Sequence, residues 1–282
     1  MPKESQLAVL TYLDFPALMV FRRVSKSCRA LVLVDLERDL KRILAPITKN
    51  WDGFRDSLSA SNGYIGGLAA LAFFFRRSMP QDEPIEVFLP SHTFPQFVEY
   101  LREVQGLVIT AEYDGDAGRY VVSTVRLQCL QRAILVHRSA TESALCPILR
   151  ASNTALACYV GASDFGVPWA ALTFARRALV ADRSACAFNV HIPRLPRAFS
   201  IRLYAWMWPE YGDPQTCTRQ HHMCPAQPRY LDDAGAIYGS WSGTEHKPRT
   251  RICFRLDARP CGGPCLQPHP TLPFSSDRVR IL

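Results

Sequence analysis

The feature that most constrains this chain is a run of apolar side chains spaced four residues apart near its start, at Cys28, Val32, Leu36, Leu40 and Leu44. This spacing is typical of the buried stripe of one helix, and the charged residues between these positions indicate that the opposite face is exposed to water. A single helix cannot bury such a stripe by itself. The rest of the chain must therefore supply elements that cover it.

Two shorter helices are predicted before this one. Apolar residues recur at helical spacing up to Asp14. Pro16 suits the first turn of a second helix, where its missing N–H costs nothing. Ser25 or Ser27 is in place to cap the third helix. Three helices within about 45 residues bury too little surface to be stable alone, so they need a partner protein or a following domain.

The residues of these helices resemble an F-box over a module at residues 1–47. Met1-Pro2-Lys3-Glu4 corresponds to the Leu-Pro-x-Glu opening of that family, Tyr12–Leu18 to its next motif, and Arg23–Arg29 to the start of its third helix. The resemblance implies docking on the Skp adaptor of a cullin–RING ubiquitin ligase. The side chains expected to make that contact are Pro2, Leu10, Leu13, Leu18 and Val24. The alternative is an ordinary helical cap on the next domain.

From Trp51 the pattern changes to mixed α/β, which makes the whole chain α+β. Gly66-Gly67 precedes an apolar helix, and Ile85–Leu89 is predicted to be a strand. Further elements are expected as a helix at Thr93–Val104 and strands at Leu107–Thr110, Tyr120–Val125 and Ala198–Trp208. We expect this second domain to cover residues 48–210.

This order of elements is that of nucleotidyltransferases of the polymerase-beta type. More closely, the chain from residue 51 to about residue 210 resembles a group of fungal F-box proteins that carry a degenerate domain of this type. The matching segments are Ile65–Phe73, Pro84–Phe88, Ile148–Thr154 and Val167–Phe174. The resemblance implies a nucleotidyltransferase-like fold with a degenerate cleft at Gly66, Gly67 and Glu86.

The carboxylates of that cleft are incomplete. Transferases of this type hold Mg²⁺ with carboxylates at alternate strand positions, but the first of these positions is Pro84 and only Glu86 keeps the register. Asp82 and Glu83 are out of place, and no third carboxylate appears on the later strands. We therefore expect a pseudo-enzyme, with Mg²⁺-dependent nucleotidyl transfer as the alternative. Pro84 also predicts that this strand starts at a sheet edge or a bulge.

The last segment, residues 211–282, is rich in cysteine and proline and is expected to be irregular with a few strands. Two groups of metal-ligand residues occur there, first Cys217, His221 and Cys224 and then Cys261 and Cys265. Such groups can close a tetrahedral zinc site that replaces a missing core. Their spacing differs from the usual Cys-x2-Cys, which favours free thiols. No other cofactor is expected.

Composition narrows the function further. The net charge of +8 comes from basic residues spread along the whole chain, so specific nucleic-acid binding is not expected. No apolar run approaches the roughly 18 residues of a membrane helix, and the start of the sequence lacks the apolar region of a signal peptide. We expect a cytoplasmic or nuclear interaction protein, a substrate adaptor of a ubiquitin ligase. The remaining alternative is a zinc-stabilised binding module unrelated to ubiquitin.

Overall fold

A helical N-terminal region is followed by a domain rich in β-sheet. The computed structural model describes residues 3–129, 132–181, 195–212, 218–242, 252–257 and 279–281. The mixed α/β character expected from the sequence is confirmed at this level. No helix in these ranges is long and apolar enough to cross a membrane.

Within the described ranges, three α-helices form the N-terminal region and five others belong to the sheet domain. They are α1 (Lys3–Leu10), α2 (Phe15–Phe21), α3 (Lys26–Leu44), α4 (Trp51–Ala60), α5 (Gly67–Phe74), α6 (Phe94–Glu103), α7 (Leu145–Leu149) and α8 (Ala170–Phe174). The carboxylate of Asp14 accepts the N–H of Ala17 and so caps α2. The hydroxyl of Ser25 accepts the N–H of Cys28 and caps α3, as predicted.

Eight strands form one sheet, in the order β11-β7-β6-β1-β2-β5-β4-β3. They are β1 (Tyr64–Gly66), β2 (Ile85–Leu89), β3 (Val108–Asp114), β4 (Val121–Gln128), β5 (Ala133–Ser139), β6 (Tyr159–Gly161), β7 (Asp164–Val167) and β11 (Ile237–Ser240). Two small sheets hold the other strands, namely β8 (Arg177–Leu179), β9 (Ser200–Arg202), β10 (Arg229–Tyr230), β12 (Ile252–Phe254) and β13 (Val279–Ile281).

The strand β2 lies in the middle of the large sheet. It pairs antiparallel with β1 and parallel with β5, so the predicted position at an edge or bulge is wrong. The physical reason is that Pro84 stands one residue before the first paired residue, Ile85, and therefore removes no hydrogen bond from the ladder.

Three other strands differ from the prediction. Both β3 and β4 continue further than expected, because each pairs along nearly its whole length with a neighbour. The strand predicted at Ala198–Trp208 is only the short β9, and the backbone turns into a 3-10 helix at Ala205–Met207.

The N-terminal region packs tightly on the sheet domain. The ring of Phe15 in α2 lies against Phe74 of α5 at 4.8 Å between centroids, and it also contacts Phe165 of β7 at 5.8 Å. Arg22 donates to the carbonyl of Ser240 in β11 at 2.7 Å. The helices α3 and α5 are also in contact. The sheet domain thus covers the apolar stripe that α3 cannot bury alone.

The tail is attached to the same domain through Arg229, which is fully buried. Its guanidinium pairs with Asp233 at 2.6 Å and donates to the carbonyls of His222 and Pro168, both at 2.7 Å. A buried charge with this many partners is stable because all three nitrogens of the guanidinium donate hydrogen bonds.

Candidate partner-binding surface

The apolar side chains of the N-terminal region divide into buried and exposed sets. Leu10 is 2% exposed and Leu18 is fully buried, so both belong to the core of the chain. The sequence predicted that both side chains contact an adaptor. In this arrangement neither can, because the sheet domain and α3 already cover them. Leu13 is half-buried, and Pro2 lies outside the described residues.

A second set of apolar side chains is exposed on the same helices. Tyr12 is 90% exposed, Val24 is 70% exposed and Val20 is 67% exposed, with Val9 and Val34 about half exposed. These five side chains, here called the N-terminal patch, lie within 26 residues of the sequence. Seven other large apolar side chains with comparable exposure lie elsewhere in the described chain, four of them between Val104 and Val122. Exposed apolar side chains that form a continuous patch mark protein-binding surfaces, which makes the N-terminal patch a candidate.

The sequence predicted Val24 as part of this surface but missed Val20. Helical periodicity predicts that apolar residues of a helix are buried, and nothing in residue type distinguishes Val20 from the other apolar residues of α2. The signal that was available is its position two residues after Leu18, on the opposite face of a helix whose buried side is fixed by Phe15 and Leu18.

Arg76 fixes the position of the patch relative to the sheet domain. It follows α5, and its Nε donates to Asp39 of α3 at 2.8 Å. A second ion pair joins it to Asp35, and its Nη1 donates to the carbonyls of Leu10 and Leu13 at 2.5 and 2.9 Å. Burial raises the pKa of Asp35, against the opposing effect of the Arg76 and Arg38 charges. One guanidinium therefore joins α1, α3 and α5.

The predicted cleft is closed by its own carboxylate. Glu86 is 4% exposed, and its neighbour in the register is Gly66. A Cβ on Gly67 would lie only 1.8 Å from Oε2 of Glu86, so the carboxylate fills the space beside the glycine turn. In a transferase a phosphate would have to approach this turn.

A histidine that the sequence did not assign to the cleft lies next to Glu86. Nε2 of His137 is 3.6 Å from Oε1 of Glu86, and its Nδ1 is hydrogen-bonded to Thr124 at 2.8 Å. The ring stacks on Phe88. All four side chains are buried, which makes this an internal polar cluster.

The carboxylates nearest to Glu86 in the sequence are Asp82 and Glu83. Asp82 is exposed, and its charge acts on Arg132, whose pKa is lowered by burial. Across the described ranges, no three His, Cys, Asp or Glu side chains are grouped so that they could hold a metal ion.

Most of the predicted zinc ligands cannot be placed. Cys217, Cys261 and Cys265 lie outside the described residues. His221 is exposed at the end of a 3-10 turn, whereas Cys224 is buried. Zinc binding by the tail therefore stays a prediction.

Comparison with known proteins agrees with the N-terminal assignment. The family model of the F-box domain matches residues 1–35, which include α1, α2 and the start of α3. None of the curated proteins searched matches the chain. The helical N-terminal region of this chain is therefore similar to an F-box domain over residues 1–35.

Proposed function

We propose that this protein is a substrate adaptor of a cullin–RING ubiquitin ligase and docks on a Skp-type adaptor through the N-terminal patch. The observation that carries the proposal is the exposure of Tyr12, Val20 and Val24 in a region that matches the F-box model, where Phe15, Leu18 and Met19 are buried. The F-box supports an adaptor role in general, and the patch gives that role a specific surface.

The chemistry of the patch suits a protein partner. Burying an aliphatic or aromatic side chain of this size contributes about 1.5–3 kcal/mol, and tyrosine is a frequent energetic centre of interfaces. Arg23 and Lys26 are exposed on either side of Val24. A basic rim around an apolar centre favours a partner with acidic residues at the matching positions.

We expect the triple variant Tyr12→Ser/Val20→Ser/Val24→Ser to bind a purified Skp-type adaptor at least about 100-fold more weakly than wild type, because three exposed anchors are removed. Binding of the full-length proteins is measured by titration calorimetry. Serine is chosen because these side chains are exposed, so the fold should persist. Aspartate at Leu10 or Leu18 would instead place a charge in the core.

The matched control is Tyr113→Ser/Val104→Ser/Val122→Ser, which removes one tyrosine and two valines that are also exposed but lie in the sheet domain. It should bind the adaptor like wild type. Equal binding by the patch variant, or an absence of wild-type binding, would reject the adaptor role.

We also propose that the sheet domain does not catalyse nucleotidyl transfer. The support is the single carboxylate of Glu86, which fills the space beside Gly67, together with Pro84 at the place of the first ligand. Phosphoryl transfer depends on metal ions that position and neutralise the phosphates, and one buried carboxylate holds them poorly.

Incubation of the purified protein with each labelled nucleotide and Mg²⁺ or Mn²⁺ is therefore expected to leave protein and added acceptors unlabelled. Label that appears with wild type and disappears with Glu86→Gln would show that the transferase is active. Heat-denatured protein serves as the background control.

A further inference from the structure

The large sheet ends at β3, and within the described ranges no other strand pairs with the outer edge of β3. Five of its seven residues are exposed. An edge strand presents a row of unpaired N–H and C=O groups that another chain can use. Proteins usually keep such edges short or covered, and β3 is neither within the part of the chain that is described.

A groove with a volume of about 530 Å³ runs between β3 and the first half of α6. Its apolar floor is formed by Phe94, Pro95 and Val98 of α6 together with Ile109 of β3. Glu112 and Asp114 form the wall at the other end of the strand. This volume accommodates several side chains of an extended peptide.

The lining of the groove holds two carboxylates and one cation, and the carboxylates have no ion-pair partner among the described residues. No Lys, Arg or His nitrogen there forms an ion pair with Glu112 or Asp114. The cation in the lining, Arg138, donates through Nε to the hydroxyl of Ser91 at 2.7 Å. On a chain with a net charge of +8, this local negative charge favours a cationic ligand.

We propose that the groove between β3 and α6 binds an extended basic segment of a partner protein, added to the sheet as a further strand along β3. Alternate side chains of an added strand point to the same face. Of the side chains of the added strand that face α6, the apolar ones would lie over Val98 and Phe94. Lys or Arg side chains further along would lie opposite Glu112 and Asp114. Backbone hydrogen bonds would supply affinity and the two kinds of side chain would supply selectivity.

This groove lies far from the N-terminal patch. Helix α2 contacts β7 and β11 through Phe15 and Arg22, at the opposite end of the sheet. Seven strand spacings of about 4.8 Å separate β11 from β3, or about 34 Å. Both surfaces can therefore be occupied at once. In the proposed adaptor role the groove would receive the client, but peptide binding does not require the Skp-type protein, so either proposal can fail without the other.

The test uses the full-length protein and a labelled peptide, Lys-Thr-Lys-Thr-Val-Thr-Val-Thr, followed by fluorescence anisotropy. A peptide with the reverse order is included because an added strand can run in either direction. We expect micromolar binding by one of these peptides and at least about tenfold weaker binding to Glu112→Lys/Asp114→Lys. A second peptide with Glu in place of Lys should prefer that variant over wild type.

The matched control is Asp52→Lys/Asp232→Lys, which changes the net charge by the same amount at two exposed carboxylates outside the groove. It should leave the affinity within about twofold of wild type. Two further peptides carry N-methyl groups on the odd or on the even residues. Only the peptide whose methylated nitrogens face β3 should bind more weakly, since N-methylation removes the N–H groups that would pair with that strand.

Four results would overturn the proposal. They are no binding of either Lys peptide, equal weakening by the control variant, equal binding of the two methylated peptides, and a wild-type dimer that Glu112→Lys/Asp114→Lys dissociates. The last result would show that the edge pairs with a second copy of the chain. Size-exclusion chromatography of wild type and variant distinguishes it.

Discussion

Replacing Arg76 by methionine is expected to lower the free energy of unfolding by about 3–5 kcal/mol, because it leaves buried Asp35 and Asp39 without their shared cation. The carbonyls of Leu10 and Leu13 each lose the hydrogen bond from Nη1 of Arg76 in the same change. Methionine keeps much of the length of the side chain, so the loss reports mainly on charge and hydrogen bonding. Urea unfolding of the full-length protein measures it.

Arg77→Met is the matched control, since Arg77 is the next residue along the chain and is exposed. Its unfolding free energy should stay within about 0.5 kcal/mol of wild type. Similar losses in the two variants would mean that the ion pairs of Arg76 contribute little to stability.

The effect of Arg76→Met should also depend on pH. Burial already raises the pKa of Asp35, and removal of Arg76 takes away an interaction that lowers it, so this pKa rises further in the variant. Above that pKa the carboxylate is charged and the full loss is present. As the pH falls through it, Asp35 becomes neutral in the folded variant and the difference from wild type shrinks. Unfolding at neutral pH and at about pH 5 tests the sign.

Gly67→Ala is the second change with a large expected effect, a loss of about 4 kcal/mol or more or a failure to fold. Gly67 has φ +57°, a conformation that costs alanine about 1–2 kcal/mol. The new Cβ would also lie 1.8 Å from Oε2 of Glu86, which is buried, so one of the two groups has to move. The collision should dominate the loss.

A double-mutant cycle separates the two causes. In a Glu86→Ala background the carboxylate is gone, so Gly67→Ala should cost only the backbone strain. Gly118→Ala is the control, because a Cβ there meets only the side chain of Asp116 at 3.1 Å. An equal cost of Gly67→Ala in both backgrounds would contradict the assigned role of Glu86.

The sequence predicted local structure better than it predicted what covers each surface. The stripe of α3 and the apolar run of β2 are set by neighbouring residues, so both elements were found. The burial of Leu10 and Leu18 depends instead on residues far along the chain, such as Phe74 and Arg76. A periodic pattern identifies an apolar face but does not say whether the same chain or a partner covers it.

The same limit explains the cleft. Spacing alone showed that Glu86 lacks a second carboxylate, and the expected neighbours Gly66 and Gly67 do lie beside it. The contribution of His137 could not be predicted, because β5 follows β2 after more than 40 residues and only the parallel pairing brings the two side chains together. Similarly, the prediction made from Pro84 was wrong because the effect of a proline depends on whether it lies inside or before the hydrogen-bonded part of the strand.

The junction made by Arg76 and Phe15 has a practical consequence for anyone who divides this chain into fragments. A piece that ends near residue 47 would expose the ring of Phe15 and remove Arg76, the cation that Asp35 and Asp39 share. We therefore expect that the F-box-like region does not keep this structure when it is expressed or exchanged by itself. A fusion or truncation that preserves the N-terminal patch has to retain α5 and the strands on which α2 rests.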